Sequence, residues 1–91
     1  MLLEDARKEI DIIDKQLTLL FLKRMDIVKN VAEYKISHNM EVLQPEREVA
    51  LLEKLTKDLS TQESESVRKL YQAILELSRS SQQEIIDSQK K

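Results

Sequence analysis

The stretch "LEDARKEIDIIDKQLTLLFLKRMDIVKNVAEYKIS", residues 3–37, decides the fold that this sequence predicts. It contains neither proline nor glycine, and residues with good helix propensity dominate it. Every third or fourth residue falls on one apolar stripe, here called the seam, which consists of Ile10, Ile13, Leu17, Leu20, Arg24, Ile27, Val31 and Tyr34. The pattern predicts a single long helix over about residues 3–37, with one charged residue inside its seam.

Two shorter helices are predicted after the long one. The segment "SHNMEVLQ" interrupts the pattern, and Pro45 suits the first turn of a second helix over about residues 45–58. The segment "DLSTQES" then forms a loop in which Ser60 and Glu63 have the spacing of a capping box. A third helix over about residues 62–88 follows, and its apolar stripe is Val67, Leu70, Ile74, Leu77 and Ile85.

The length of the first helix predicts a partner chain. At 1.5 Å per residue the helix spans about 50 Å, whereas a compact chain of 91 residues has a diameter near 30 Å. Two shorter helices cannot cover so long a seam, and exposed apolar surface of that extent is unfavourable. We therefore expect residues 1–91 to form one all-α domain that assembles into an intertwined homodimer.

Composition excludes several classes of protein. The 17 acidic residues nearly balance the 15 basic ones, so nucleic acid and anionic membranes are not expected partners. The chain has no cysteine and no glycine, which argues against disulfides and against glycine-rich phosphate loops. It also lacks a long apolar run, and acids and bases follow directly after "MLL". A soluble protein of the cytoplasm is expected.

Polar residues interrupt the buried face of every predicted helix. Arg24 and Lys35 lie within about 20° of one helix face and about 16 Å apart. The apolar stripe of the second helix is Leu52, Leu55 and Leu59, and Glu48 extends it four residues before Leu52. Ser78 and Gln82 interrupt the stripe of the third helix. One interpretation is a structural network in which Arg24 pairs with Glu48 and fixes the helix register. The other is a site for an anion, because cations outnumber the single carboxylate; a small acid with more than one carboxylate would satisfy them.

Three segments resemble the all-helical chorismate mutases: "ARKEIDIIDKQLTLLFLKRMDIVKNVAEYK", "PEREVALLEKL" and "LYQAILELSRSSQQ". The similarity covers nearly the entire chain, in spacing as well as in residue type. The site positions of that family correspond here to Arg7, Arg24, Lys35, Arg47, Glu48, Ser78 and Gln82. One position departs from the pattern, since many members carry an acidic residue where this chain has Gln44. The role of that position is therefore open.

The resemblance implies conversion of chorismate to prephenate in phenylalanine and tyrosine biosynthesis, without a metal, a cofactor or a nucleophile. Arg7 and Arg24 would hold the two carboxylates of the substrate, with Ser78 assisting. Arg47 and Glu48 would orient the ring and its hydroxyl. Confinement of a reactive conformer and electrostatic stabilisation would then drive the rearrangement.

By the same resemblance, Lys35 and Gln82 would donate hydrogen bonds to the ether oxygen of the substrate. Arg7 lies 28 residues before Lys35, or about 42 Å along a straight helix, so Arg7 is expected to enter the site of the partner chain. Two alternatives stay open. One is an isochorismate pyruvate lyase on the same fold, and the other is a non-catalytic helical dimerisation or regulatory module.

Overall fold

The computed structural model describes residues 2–90, so both ends of the predicted domain, Met1 and Lys91, lie outside the described residues. Three helices follow one another: α1 (Leu3–Ser37), α2 (Pro45–Thr56) and α3 (Thr61–Gln89). The predicted all-α class is confirmed, and residues 2–90 contain no strand. The second helix ends two residues before its predicted end, and the third is one residue longer at each end.

The end of α1 is set by Asn39, which adopts a left-handed conformation with φ of 54°. Asparagine tolerates this conformation better than most residues do. The turn allows the backbone N–H of Met40 to donate to the carbonyl of Lys35 over 2.8 Å, which satisfies one of the last carbonyls of the helix. The chain then turns back toward the body of the molecule, and Pro45 begins α2 at its first turn.

The beginning of α3 is the capping box that the sequence predicts. The backbone N–H of Glu63 donates to the Ser60 hydroxyl, and the backbone N–H of Ser60 donates to the Glu63 carboxylate, each over 3.1 Å. The backbone hydrogen bond from Ser60, with help from its hydroxyl, lowers the pKa of the Glu63 carboxyl. Such reciprocal bonds satisfy two of the free N–H groups at a helix start.

Packing is organised around α3, which contacts both α1 and α2, whereas α1 and α2 do not pack against each other in the described part of the chain. The buried apolar residues among positions 2–90 are Val28, Ala32 and Leu75. Such a core is small for a chain of this length. No helix within residues 2–90 is long and apolar enough to cross a membrane.

The molecule is elongated because α1 extends beyond the other two helices. Its extents are 55 × 26 × 14 Å and its radius of gyration is 16.6 Å, against about 12 Å for a compact chain of this size. Within residues 2–20 every residue is exposed except Ala6, which is half-buried. The seam leucines and isoleucines of this part, Ile10, Ile13, Leu17 and Leu20, are 51% to 63% exposed.

The buried faces of α1 and α3 differ from the predicted stripes. In the second half of α1 the buried residues are Val28, Ala32 and Lys35, each one position after a seam residue. In α3, Leu75 is buried, whereas Leu70 and Leu77 of the predicted stripe are exposed. The reason is that α3 has neighbours on two sides, and both packed faces lie between the positions that the simple spacing selects.

Candidate active site

A cavity of about 500 Å³ lies where α1, α3, the first half of α2 and the loop before it meet. Its polar lining consists of Arg24, Lys35, Gln44, Arg47, Glu48, Ser78, Arg79 and Gln82. Its apolar lining consists of Ile27, Val28, Val31, Met40, Val42, Leu51 and Leu75. A volume of this size, with apolar walls and a few convergent polar groups, is typical of a small-molecule site.

Arg24 enters this cavity from α1. Its Nη1 donates to the hydroxyl of Ser78 over 2.6 Å, and that hydroxyl lies 2.8 Å from the carbonyl oxygen of Ile74, one turn earlier in α3. The structural alternative in which Arg24 pairs with Glu48 is wrong, because Glu48 bonds to another arginine. Arg24 therefore carries its charge into the cavity with only a neutral hydroxyl beside it.

Lys35 lies at the opposite end of the cavity and is buried. Its ammonium donates to the carbonyl of Val42 over 2.7 Å and to Oε1 of Gln82 over 2.8 Å. Burial lowers the pKa of Lys35, and the nearby carboxylate of Glu48 partly opposes that shift. An ammonium has three N–H groups, so these two bonds leave one N–H for a ligand.

The orientation of Gln82 follows from this contact, because only the oxygen of its amide can accept from an ammonium. The amide nitrogen consequently faces the carbonyl of Ser78, to which it donates over 3.2 Å. The amide nitrogen of Gln82 uses one of its two N–H groups for the Ser78 carbonyl, so the second N–H remains for a ligand. Lys35 and Gln82 thus present two adjacent donors at one point of the cavity wall.

Glu48 is bound by Arg79, a residue that the sequence did not single out. Nη1 of Arg79 donates to both carboxylate oxygens, over 2.6 and 2.8 Å. The two residues are 31 positions apart, so no local spacing indicated the pair. A signal was nevertheless present, because Arg79 lies three residues before Gln82 and one after Ser78, within the polar interruption of α3.

The other sequence-predicted residues lie in different places. Arg47 lines the cavity from the first turn of α2 but is exposed as a residue. Gln44 also lines the cavity, and its amide nitrogen donates to the carbonyl of Glu41 over 2.8 Å. Arg7 does not line the cavity of its own chain; it is exposed. Seventeen residues of α1 separate it from Arg24, or about 25 Å.

The charge of the cavity is strongly positive. Its lining includes four cationic side chains and one carboxylate, that of Glu48, which Arg79 binds. Within residues 2–90 none of the other three, Arg24, Lys35 and Arg47, forms an ion pair with a carboxylate. Over the same range no group of three or more histidine, cysteine, aspartate or glutamate residues could hold a metal ion. The arrangement is suited to a small organic anion.

Comparisons with known proteins agree with this geometry. The chain is 43% identical over 51 residues to the T-protein of Haemophilus influenzae, which covers 56% of this chain and 14% of that protein. It is 37% identical over 83 residues to the bifunctional chorismate mutase/prephenate dehydratase of Buchnera aphidicola, which covers 89% of this chain and 22% of the relative. No solved structure matches significantly.

The chain thus spans less than a quarter of the length of these curated relatives. The family described as chorismate mutase type II matches residues 6–83. That range contains every residue of the predicted site, from Arg7 to Gln82. On the extent of that match, this three-helix chain belongs to the chorismate mutase type II family.

Proposed function

We propose that this chain is an isomerase that converts chorismate to prephenate, a step of aromatic amino-acid biosynthesis. The observation that carries the proposal is the cavity itself: three cations without a carboxylate partner in residues 2–90 face a space that also offers two adjacent N–H donors. Chorismate is a dianion with an ether oxygen that becomes negative as its bond breaks. The charges and donors of the cavity match both properties of that substrate.

The carboxylates of the substrate are the natural partners of the arginines. Arg24 has a planar guanidinium that can bind a carboxylate through two N–H groups. The Ser78 hydroxyl beside it can add a third bond when its single O–H turns from the carbonyl of Ile74 to the ligand. The second carboxylate of the substrate binds to the partner subunit's Arg7. Arg47, at the beginning of α2, lines the side of the cavity near Glu48 and orients the ring of the substrate.

The ether oxygen is assigned to Lys35 and Gln82. Breaking the carbon–oxygen bond moves negative charge onto this oxygen, so fixed donors stabilise the transition state more than the ground state. Lys35 is held by Val42 and Gln82, and Gln82 is held by Ser78. Because both donors are fixed before the ligand arrives, little reorganisation accompanies the reaction.

The apolar residues that line the cavity have a separate role, which is to confine the substrate. Ile27, Val31, Leu51 and Leu75 surround the polar groups, and an intramolecular rearrangement requires the two reacting carbons to be brought together. A cavity that admits only a folded conformer removes the entropy cost of that approach. Glu48 accepts a hydrogen bond from the ring hydroxyl in this arrangement.

The homodimer is part of the same proposal. Its support is the exposed seam of residues 10–20, together with the distance that separates Arg7 from the cavity of its own chain. A second copy that lies along α1 would cover the seam and bring its Arg7 to the cavity. With it we retain the expectation from composition that the enzyme works in the cytoplasm.

A direct assay tests the function. Chorismate consumption by the purified protein is followed, and the product is identified chromatographically as prephenate or as pyruvate with a hydroxybenzoate. We expect prephenate, and the Arg24→Leu variant serves as the negative control. Isochorismate is assayed in the same way, and pyruvate released from it would identify the lyase alternative. Absence of turnover in a folded dimer would identify the non-catalytic module and overturn the proposal.

A further inference from the structure

We infer that Arg79 is a positioning residue of this site, which fixes the carboxylate of Glu48 for the hydroxyl of the substrate and offsets its charge beside a dianion. The inference rests on the proposed function, because it assigns to Arg79 a role that matters only when an anionic ligand with a hydroxyl occupies the cavity. Arg79 acts through Glu48 and is not a catalytic residue.

The geometry of the contact leaves Glu48 able to bind a ligand. A single nitrogen of Arg79 lies between the two carboxylate oxygens, 2.6 and 2.8 Å from them. A carboxylate has about four acceptor positions, of which this nitrogen uses two. Each oxygen therefore keeps one position free, and the side chain of Glu48 has its orientation fixed in advance by the contact.

Arg79 also offsets the charge of Glu48, in addition to fixing its orientation. A carboxylate in this cavity repels a dianionic ligand, and within a partly desolvated space that repulsion is only weakly screened. The side chains of Glu48 and Arg79 are 23% and 34% exposed, so water does not remove the effect. Arg79 places a positive charge directly on the carboxylate. The cavity can then contain Glu48 and still attract an anion.

The position of Arg79 explains how it can act without a bond to the substrate. It lines the site cavity and also a neighbouring cavity of about 440 Å³, together with Glu41, Val42, Leu43, Ser80 and Gln83. The residue thus forms part of the partition between the two spaces. From this partition its guanidinium reaches the carboxylate of Glu48.

A double-mutant cycle tests the inference. Arg79→Gln, Glu48→Gln and the double variant are compared with the wild type by kcat/KM for chorismate. Arg79→Gln should lower kcat/KM by about 10- to 100-fold when Glu48 is present, through both a higher KM and a lower kcat. In the Glu48→Gln background the same change should cost less than about twofold, because no carboxylate is left to hold.

Two further variants separate positioning from stability. Arg79→Lys keeps the charge and one donor and should recover part of the loss, whereas a purely steric role would not distinguish lysine from glutamine. Arg68→Gln makes the same change elsewhere on α3, outside the site cavity, and should leave kcat/KM unchanged. Circular dichroism and urea unfolding establish that each variant is folded.

Each outcome decides something. Equal losses in both backgrounds mean that Arg79 contacts the ligand itself, and an active Arg79→Gln enzyme removes its role; either result overturns this inference alone. If the wild type binds prephenate by calorimetry without converting chorismate, the cycle is read on the Kd for prephenate. A wild type that neither converts chorismate nor binds prephenate overturns the inference together with the proposed function.

Discussion

The two halves of α1 carry the same apolar spacing, yet they differ in what covers them. Beyond Leu20 the helix packs on α3, where Val28 and Ala32 are buried and Arg24 and Lys35 line the cavity. Before Phe21 every residue from Leu2 onward is exposed except the half-buried Ala6, and the seam is exposed with them. The first half also carries Arg7, the one predicted site residue that lies outside the cavity.

A hydrophobic pattern therefore specifies which residues are to be buried without specifying the surface that buries them. The second half of α1 is covered by residues of the same chain, which bring Ser78 and Gln82 to Arg24 and Lys35. The first half needs an equivalent surface from elsewhere, because leucines and isoleucines at this density are rarely left in water. Residues 21–37 of α1 thus help to build the cavity of their own chain, whereas residues 3–20, here called the arm, are exposed and in the proposed homodimer would complete the site of a second copy.

We expect the strongest loss of activity from a change at Arg24, in the half of α1 that packs on α3. Arg24→Leu should lower kcat/KM by about 10²- to 10³-fold, because a carboxylate of the substrate loses its main partner. Thermal stability should be unchanged or higher, since a cation without a carboxylate partner is replaced by a residue that matches the seam. Stopped assays and thermal unfolding measure the two quantities, and Lys23→Leu, an exposed neighbour outside the cavity, is the control. Loss of folding in Arg24→Leu would mean that Arg24 is structural.

The next prediction concerns the first half of α1, residues 3–20, whose seam is exposed. Leu17→Glu puts a carboxylate into the exposed seam, and it should raise the Kd for dimerisation by about 100-fold, since a charge in an apolar interface lacks a partner. Lys15→Glu, on the opposite face of the same helix, should leave the dimer intact. Sedimentation velocity across a concentration series measures both. If neither variant changes the association state, the seam is not the contact between chains.

A smaller effect is expected from an experiment that involves both halves of α1, through Arg7 in the first and Arg24 in the second. Mixing inactive Arg7→Ala and Arg24→Ala proteins under conditions that exchange subunits should restore about a quarter of wild-type activity, because about half of the dimers are mixed and each contains one intact site. Exchange is verified by labelling one protein and recovering the other with it. Exchange without recovery would mean that the arm of one chain does not complete the site of another.

The smallest effect is the pH dependence of Lys35. Burial lowers the pKa of Lys35 below its ordinary value of 10.5, so the folded chain binds fewer protons than the unfolded chain just below pH 10.5. The free energy of unfolding, measured relative to Lys35→Met, should therefore rise with pH in that window. The value of kcat/KM should fall over the same range as the ammonium loses its proton.

A dianionic ligand favours the charged form of Lys35, so the alkaline decline of kcat should lie at higher pH than that of kcat/KM. Urea unfolding and rate profiles between pH 8 and pH 11 measure these quantities. A relative stability that is flat or falls with pH would contradict the assignment of Lys35 as a cation held in the cavity at a cost to folding.

The helices could be predicted from the sequence because their signals are local. Pro45 marks the beginning of α2, and Ser60 with Glu63 marks the beginning of α3. The burial within each helix was less predictable. Leu77 belongs to the simple stripe and is 51% exposed, whereas Leu75 is buried, since the outcome depends on the two neighbours that α3 acquires only in the folded chain.

The candidate site could likewise be predicted from the sequence only in part. Resemblance to a family identified seven positions, and six of them line one cavity. Arg79 was missed because its partner Glu48 lies on another helix, and an arginine beside serines on an amphipathic helix is usually solvated. The hydrogen bonds that fix Lys35 and Gln82 were equally beyond sequence reasoning, because they depend on the path of the loop through Val42.

The exposed first half of α1, residues 3–20, affects how this protein folds and how fast it is degraded at low concentration. A helix segment without neighbours is marginal in water, so with the proposed second copy the ordering of residues 3–20 becomes a bimolecular event. The melting temperature should then rise with total protein concentration, and newly made chains should remain partly unfolded until they meet. Degradation would fall most heavily on the chains that have not yet found a partner, which sets a lower limit to the amount of enzyme that a cell can maintain.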